Sequence, residues 1–489
     1  MLKLEGSIQV MATAVSLLGN LPINPLKFHE KSFRSKLTLI SLFAFLVRLL
    51  YIIFVEKGDP LNGDAFYYHH ASRLLVDGLG FVEPYRYMFG GAQELLFLED
   101  PSFLAETTNQ SLPVGHIEPT AGHPPLWVIL LAFPVFIGLD GILIQQIFSA
   151  LIGSLGVFAI GWAASEIISE KSGLIAAGMA SIYAFLWLND GLLMSETLAI
   201  PIVAITIGLS ARLYNKNSLC LLVAFGVIGG LAVLTRAEFI IAIPFLALPI
   251  LRNSTQTLKK RLTKYFLVGV IVISVLMPWV VRNLTQFEEP VILSNGSGIL
   301  LAQTNCDATY FGDKQGYWEY LCGLPQPVGK DGEPTDESVR DKEYRSRGIE
   351  YAAEHKGRLL EHVIPKRVAR LWGFYSPVEQ LRADKLVEGR NFTLSLIGLF
   401  QYYALLPLSV FGLFKLKGRK MPLLPIITIP LITTLLAAIS MGTTRYRVSS
   451  EISIIILASF GIQFLFEKIG RFRMKKRQIS VSMPEVEKC

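Results

Sequence analysis

Apolar runs long enough to cross a bilayer recur along most of the chain, beginning with Leu37 to Val55. A hydrocarbon core of about 30 Å takes about 20 helical residues. Lipid offers the backbone no hydrogen-bond partners, so only helices or a closed barrel span it. Barrel strands alternate apolar and polar residues, and these runs do not, which leaves helices. The composition agrees: 52% of the 489 residues are hydrophobic and 17% charged, too apolar for a soluble chain of this size. The expected fold class is an all-α polytopic membrane protein. Its net charge of +7 reports orientation, because Lys and Arg gather in cytoplasmic loops; no nucleic-acid partner is expected.

Lys27, Lys31, Arg34 and Lys36 precede the first run and place segment 1–36 in the cytoplasm. No basic start leads to a small-residue cleavage site, so no signal peptide is expected. The first span therefore runs outward. Residues 56–122 hold three basic groups, Lys57, Arg73 and Arg86, against ten acids, which fits an outer loop. The stretch 123–139 is short, opens on His123-Pro124-Pro125-Leu126-Trp127 and contains Pro134. As a span it would turn the basic cluster Arg252, Lys259, Lys260, Arg261 and Lys264 outward. It is therefore read as a re-entrant or surface-lying segment within a first outer loop, 56–141.

Further spans are expected near 142–165, 173–189, 193–211, 218–235, 238–251, 265–282, 393–414, 422–440 and 450–467. With the first they make ten, with both ends cytoplasmic. Arg212 and Lys216 fall inside, as do Lys415, Lys417, Arg419 and Lys420 and the basic tail 468–489. The chain thus divides into a membrane module at 37–282, an outer region at 283–392 and C-terminal membrane helices at 393–467. In the outer region, Pro325 to Glu337 reads as a flexible excursion. Apolar positions from Ser338 to Leu371 recur with helical spacing, interrupted at Pro365, as in an amphipathic helix on the outer surface. Cys306 and Cys322 share this region, and an oxidising outer compartment predicts a disulfide between them.

Ionisable groups gather at the predicted outer ends of several spans. Asp64 follows the first, in Asn62-Gly63-Asp64-Ala65-Phe66-Tyr67-Tyr68-His69-His70. Asp190 and Glu196 lie between two others, Arg236 and Glu238 between the next pair, and Arg445 and Arg447 near the last. His123 opens the re-entrant segment. Gly-Asp is also ordinary turn chemistry, and single charges at this depth serve as headgroup anchors. Charges at membrane level also face protein interiors and watery cavities. Together these residues suit a lipid phosphate and a hydroxyl: arginines grip phosphate oxygens, and a carboxylate acts as general base. Tyr67, Tyr68, Trp127, Trp318 and Trp372 read as an interfacial aromatic belt.

The Gly63-Asp64 loop with its aromatics, His123-Pro124-Pro125-Leu126-Trp127, Met194-Ser195-Glu196-Thr197-Leu198, Thr235-Arg236-Ala237-Glu238, the loop from Thr304-Asn305-Cys306-Asp307 to Tyr317-Trp318, and Arg445-Tyr446-Arg447 occur in this order. The arrangement resembles bacterial membrane glycosyltransferases of the GT-C fold. The resemblance is to the family 39-like group that includes protein O-mannosyltransferases and aminoarabinose transferases. It implies transfer of one sugar from a polyprenyl-phosphate donor to a protein, lipid or glycan hydroxyl at the outer face of the bacterial inner membrane. It implies Asp64 as catalytic base, with Arg73 or Arg86 and His123 near the donor phosphate. Glu196, Arg236, Glu238, Arg445 and Arg447 complete the expected substrate site. Ala65 follows Asp64 where relatives often carry an Asp-Glu pair, so neither a cofactor nor an obligatory metal is expected. Alternatives are a ligase using a polyprenyl-diphosphate glycan, a lipid or sugar transporter, and a non-catalytic envelope partner. A transporter would place its charges at the midplane and show repeats; none is evident.

Overall fold

A computed structural model of the protein describes residues 27–91, 112–216, 218–252, 256–329, 334–416 and 423–481. Side chains of 27–31, Asn215 and 470–481 lie outside this description. So do segment 1–26, Lys417, Arg419, Lys420, and the tail charges and Cys489 on which part of the topology rests.

The described residues are helical apart from turns and two isolated bridges, Val82 with Pro119 and Val328 with Pro334. Among the described residues, six helices are long and apolar enough to cross a membrane: Ser32–Glu56, Ile142–Ile167, Glu196–Tyr214, Leu258–Gln286, Phe392–Leu416 and Thr444–Ile469. A bent pair makes a seventh if its two halves are taken as one span, and the shorter apolar helices are Leu126–Phe136, Leu219–Thr235, Phe239–Arg252 and Leu424–Ile439. The 11 residues of Leu126–Phe136 rise only about 16 Å, half a hydrocarbon core.

Three elements differ from the sequence expectation. The span near 173–189 is not one straight helix. Glu170–Ile182 and Ala184–Gly191 meet at 51° across Tyr183, whose backbone is extended. The Ala184 amide, freed by the break, is taken by Gln401 Oε1 at 2.8 Å. The basic residues Lys259, Lys260, Arg261 and Lys264 are not loop residues either. They form the first turns of Leu258–Gln286, which Thr257 caps by accepting from the Lys260 amide. Finally, the outer segment from Ser338 does not lie free on a surface. Glu337–Glu354 packs on Ser297–Thr304, burying Arg340, Asp341 and Tyr344. Pro365 does not break the segment, because it falls in the first turn of Ile364–Leu371, after a π turn at Leu359–Val363.

Close helix crossings rest on glycine. A Cβ on Gly412 would meet the Leu457 carbonyl at 2.0 Å, and one on Gly461 would meet the Leu408 carbonyl at 2.5 Å. The last two long helices approach there backbone to backbone, as small residues permit in membranes. Above the bundle, Asp341 Oδ1 accepts from the amides of Gly296 and Gly298 at 2.9 and 2.6 Å, fixing the start of Ser297–Thr304. Cys306 and Cys322 form a disulfide that closes the loop carrying Tyr317 and Trp318. The outer region thereby roofs the ends of the membrane helices.

Candidate functional site

Asp64 sits in the first turn of Gly63–Val76, where the helix dipole favours a carboxylate. The Tyr85 hydroxyl donates to the Gly63 carbonyl at 2.7 Å and holds that end against the short helix Pro84–Phe89. Arg445 reaches Asp64 from the turn Thr444–Arg447. Its Nη2 lies 2.5 Å from Asp64 Oδ2, its Nε 2.6 Å from Glu196 Oε1 and its Nη1 2.9 Å from Glu388 Oε1. One guanidinium thus joins three carboxylates from distant parts of the chain. Glu196 is shared with Arg236 Nη1 at 2.7 Å, and Arg236 Nε pairs with Glu238 at 2.5 Å. Glu388 is shared with Arg390 Nε at 2.5 Å, and Arg390 Nη2 donates to Asn189 at 3.0 Å. His123 completes the group, its Nε2 at 3.8 Å from Asp64 Oδ1 and its Nδ1 3.2 Å from the Tyr68 hydroxyl.

Burial by itself would push the Asp64 carboxyl up. Arg445, with a smaller part from His123, outweighs this and holds it below the usual carboxylate range. Burial lowers His123, and Arg445 and Arg236 oppose the rise that Asp64 would bring. Asp64 remains 28% exposed, whereas Glu196 is 1% exposed. Of the three acids that Arg445 holds, Asp64 is the most open.

Asp64 lies on the floor of a cavity of about 1160 Å³ between the helix ends and the outer region. Arg86 lines its far wall, with Nη1 2.9 Å from Glu118 and Nη2 donating to Gln326 at 2.8 Å. Two expected site residues are elsewhere. Arg73 is nine residues beyond Asp64 on the same helix, roughly 13 Å along its axis, and pairs with Asp140 at 3.2 Å near the surface. Arg447 is buried against Glu451 at 2.5 Å, with its guanidinium 3.6 Å from the centre of the Tyr402 ring. A 3₁₀ turn rotates about 120° per residue, so Arg445 and Arg447 point in different directions. The aromatic belt also fails for Tyr67, Tyr68 and Trp127, all buried; Trp127 donates to the Leu193 carbonyl at 2.6 Å.

Sequence reasoning passed over Glu388 and Arg390, although they precede the helix Phe392–Leu416 as Arg236 and Glu238 precede Phe239–Ala247. It also passed over Arg48, a cation inside the first span, which pairs with Asp190 at 2.6 Å with both side chains buried. Asp190 is thereby drawn away from the cavity. No three His, Cys, Asp or Glu side chains among the described residues converge as ligands for a metal.

Residues 122–281 match the family described as dolichyl-phosphate-mannose-protein mannosyltransferase. That segment includes His123, Glu196, Arg236 and Glu238. No curated protein sequence matches. Among solved structures, the archaeal oligosaccharyltransferase AglB of Archaeoglobus fulgidus, in complex with an inhibitory peptide and a dolichol-phosphate, superposes with a TM-score of 0.51 at 13% identity. The match covers 94% of this chain and 53% of that one. This chain thus spans about half the length of the archaeal protein. ArnT of Cupriavidus metallidurans, bound to undecaprenyl phosphate, matches with a TM-score of 0.36 at 14% identity, over 86% of this chain and 77% of that one. The chain therefore has the GT-C fold of membrane glycosyltransferases, with a dolichyl-phosphate-mannose-protein mannosyltransferase-like segment at residues 122–281.

Proposed function

We propose that the protein transfers a single sugar from a polyprenyl-phosphate donor to an acceptor hydroxyl at the extracytoplasmic face of the bacterial inner membrane, with Asp64 as general base. The observation that carries this is Arg445, held between Asp64, Glu196 and Glu388 on the cavity floor. A guanidinium suits a phosphate, which its planar fork grips in pairs of hydrogen bonds. An arriving donor phosphate competes with Asp64 for Arg445. As the ion pair loosens, the carboxylate that it held acidic becomes the stronger base. Donor binding and activation of the acceptor are then one event.

In the transfer, the acceptor oxygen attacks the anomeric carbon and the bond from that carbon to the phosphate oxygen breaks. The acceptor proton passes to Asp64, and polyprenyl phosphate leaves as an anion beside Arg445. A single displacement inverts the anomeric configuration. Arg236, shared with Glu196, supports the charge that develops on the leaving phosphate, an electrostatic task. His123, next to Asp64, donates a hydrogen bond to donor or acceptor oxygen. In this scheme Arg445 and Arg236 supply the positive charge and no metal is required.

The test is transfer by purified protein in liposomes, with radiolabelled polyprenyl-phosphate sugars, a membrane extract as acceptor and a chelator present. Asp64→Asn keeps the size and polarity of the side chain and removes the base. A loss of about a hundredfold or more is expected, as for a general base. Equal activity in the variant would refute the assignment and turn attention to Glu196.

A further inference from the structure

The cavity has two chemically distinct halves. At the floor, Asp64 and Arg445 are charged and paired. Toward the outer region, two arginines are held in ion pairs with one shared glutamate. Arg86 and Arg340 both pair with Glu118, at 2.9 and 2.5 Å, and all three are buried. Beside these pairs, this half offers a ligand the amide of Gln303, the carboxyl of Glu83 and the indole of Trp318.

Gln303 is the informative residue. It lines the cavity, is only 9% exposed, and its side-chain amide has no hydrogen-bond partner among the described residues. Its amide opens onto the cavity without an internal partner among the described residues, so both its donor and its acceptor are available to a ligand there. The Glu319 amide donates to the Gln303 carbonyl at 2.9 Å, which brings the adjacent Trp318 to the same wall. Glu83, also lining the cavity, uses Oε2 to accept from the Arg86 amide at 2.6 Å; its other oxygen takes no hydrogen bond among the described residues. Burial, helped by Glu337 and Glu118, pushes its carboxyl up to about 7, so it both donates and accepts near neutral pH.

Amide, carboxyl and indole together are the chemistry of a polyhydroxyl ligand. The first two bind hydroxyls that are at once donors and acceptors, and the ring offers a flat apolar face. The volume of about 1160 Å³ exceeds the ~300–1,000 Å³ typical of sites for drug-sized ligands, leaving room beside the donor. We propose that the outer half of the cavity, at Gln303, Glu83 and Trp318, is a carbohydrate-acceptor subsite that holds the sugar whose hydroxyl is presented to Asp64. This rests on the transferase function above and adds that its acceptor is a glycan.

The experiment measures binding of neutral gluco- and manno-oligosaccharides of two to four residues to the purified protein in detergent, by equilibrium dialysis and tryptophan fluorescence. Wild type is expected to bind saturably. Gln303→Leu, close in size but without the amide, is expected to weaken binding about tenfold or more, and Trp318→Phe to abolish most of the fluorescence change. Binding of undecaprenyl phosphate, measured in parallel, is expected to stay within twofold in both variants, which establishes that they are folded. If Gln303→Leu fails that control, Gln303→Asn takes its place. Absence of oligosaccharide binding by wild type, equal binding by a folded Gln303 variant, or displacement of the sugars by a Ser/Thr-containing peptide would each overturn the proposal. Transfer that survives Asp64→Asn would refute the base and leave the binding result intact. Loss of transfer in Asp64→Asn together with no oligosaccharide binding would refute the glycan subsite alone.

Discussion

Arg445 determines the chemistry available to its neighbours. With its three nitrogens committed to Asp64, Glu196 and Glu388, it keeps Asp64 ionised to lower pH than a free aspartate. A lowered pKa means that the folded state gains from ionised Asp64 above the ordinary carboxylate range, ~4, and loses that gain as pH falls through the folded value. Arg445→Met removes the restraint. The acid limb of the kcat/KM profile is expected to move to higher pH, and stability to fall by about 3–5 kcal/mol, the cost of stranding a buried charge. A pH–rate profile and thermal unfolding check the two effects. An unmoved acid limb would mean that Asp64 is not the group titrating in catalysis.

Among elements, the first span and the broken helix show how membrane packing aims the site. Arg48 binds Asp190 at 2.6 Å, and Thr197 donates to the other Asp190 oxygen at 2.7 Å. The pair ties the first span to the short helix Ala184–Gly191 and to the start of Glu196–Asn215, and so sets the position of Glu196. Arg48→Leu is expected to cost about 3–5 kcal/mol by leaving Asp190 unpaired, whereas Arg48→Met with Asp190→Leu together recovers most of that loss. Unfolding midpoints of both variants test this; equal destabilisation by the single and double changes would assign the loss to packing instead. The sequence made the span visible through its apolar length, but not this pairing, whose partners lie 142 residues apart.

For the whole molecule, pH-dependent stability is expected to come from the outer region. Asp384 is buried beside Glu388, with Tyr317 donating to it at 3.1 Å. Burial first, then Glu388, raise its carboxyl to about 7, against the pull of Arg390 and Arg445. A raised pKa stabilises the fold below the unfolded value, ~4, and that contribution is lost as pH rises through about 7. The melting temperature of wild type is expected to drop between about pH 4 and 7, and Asp384→Asn to flatten that drop; an unchanged slope would rule the group out. The orientation has its own check. A reporter fused after Leu258 is expected to signal cytoplasm, and an external signal would turn Leu126–Phe136 into a span.

The amino-acid sequence by itself marked the apolar membrane segments, because twenty apolar residues in a row have no other stable form in lipid; of the ten spans expected, six are helices of spanning length among the described residues. It also marked Asp64, Glu196, Arg236, Glu238 and Arg445, because charges at the ends of spans are costly unless something uses them. Only the tertiary structure decided which of those charges meet. Arg447 and Arg73 carry the same charge as Arg445, and one turn direction and one helix length send them elsewhere. Glu388, Arg390 and Gln303 acquired their places through contacts between residues far apart in the chain. A side chain's partners depend on where its backbone is carried in three dimensions, and local residue pattern does not encode that.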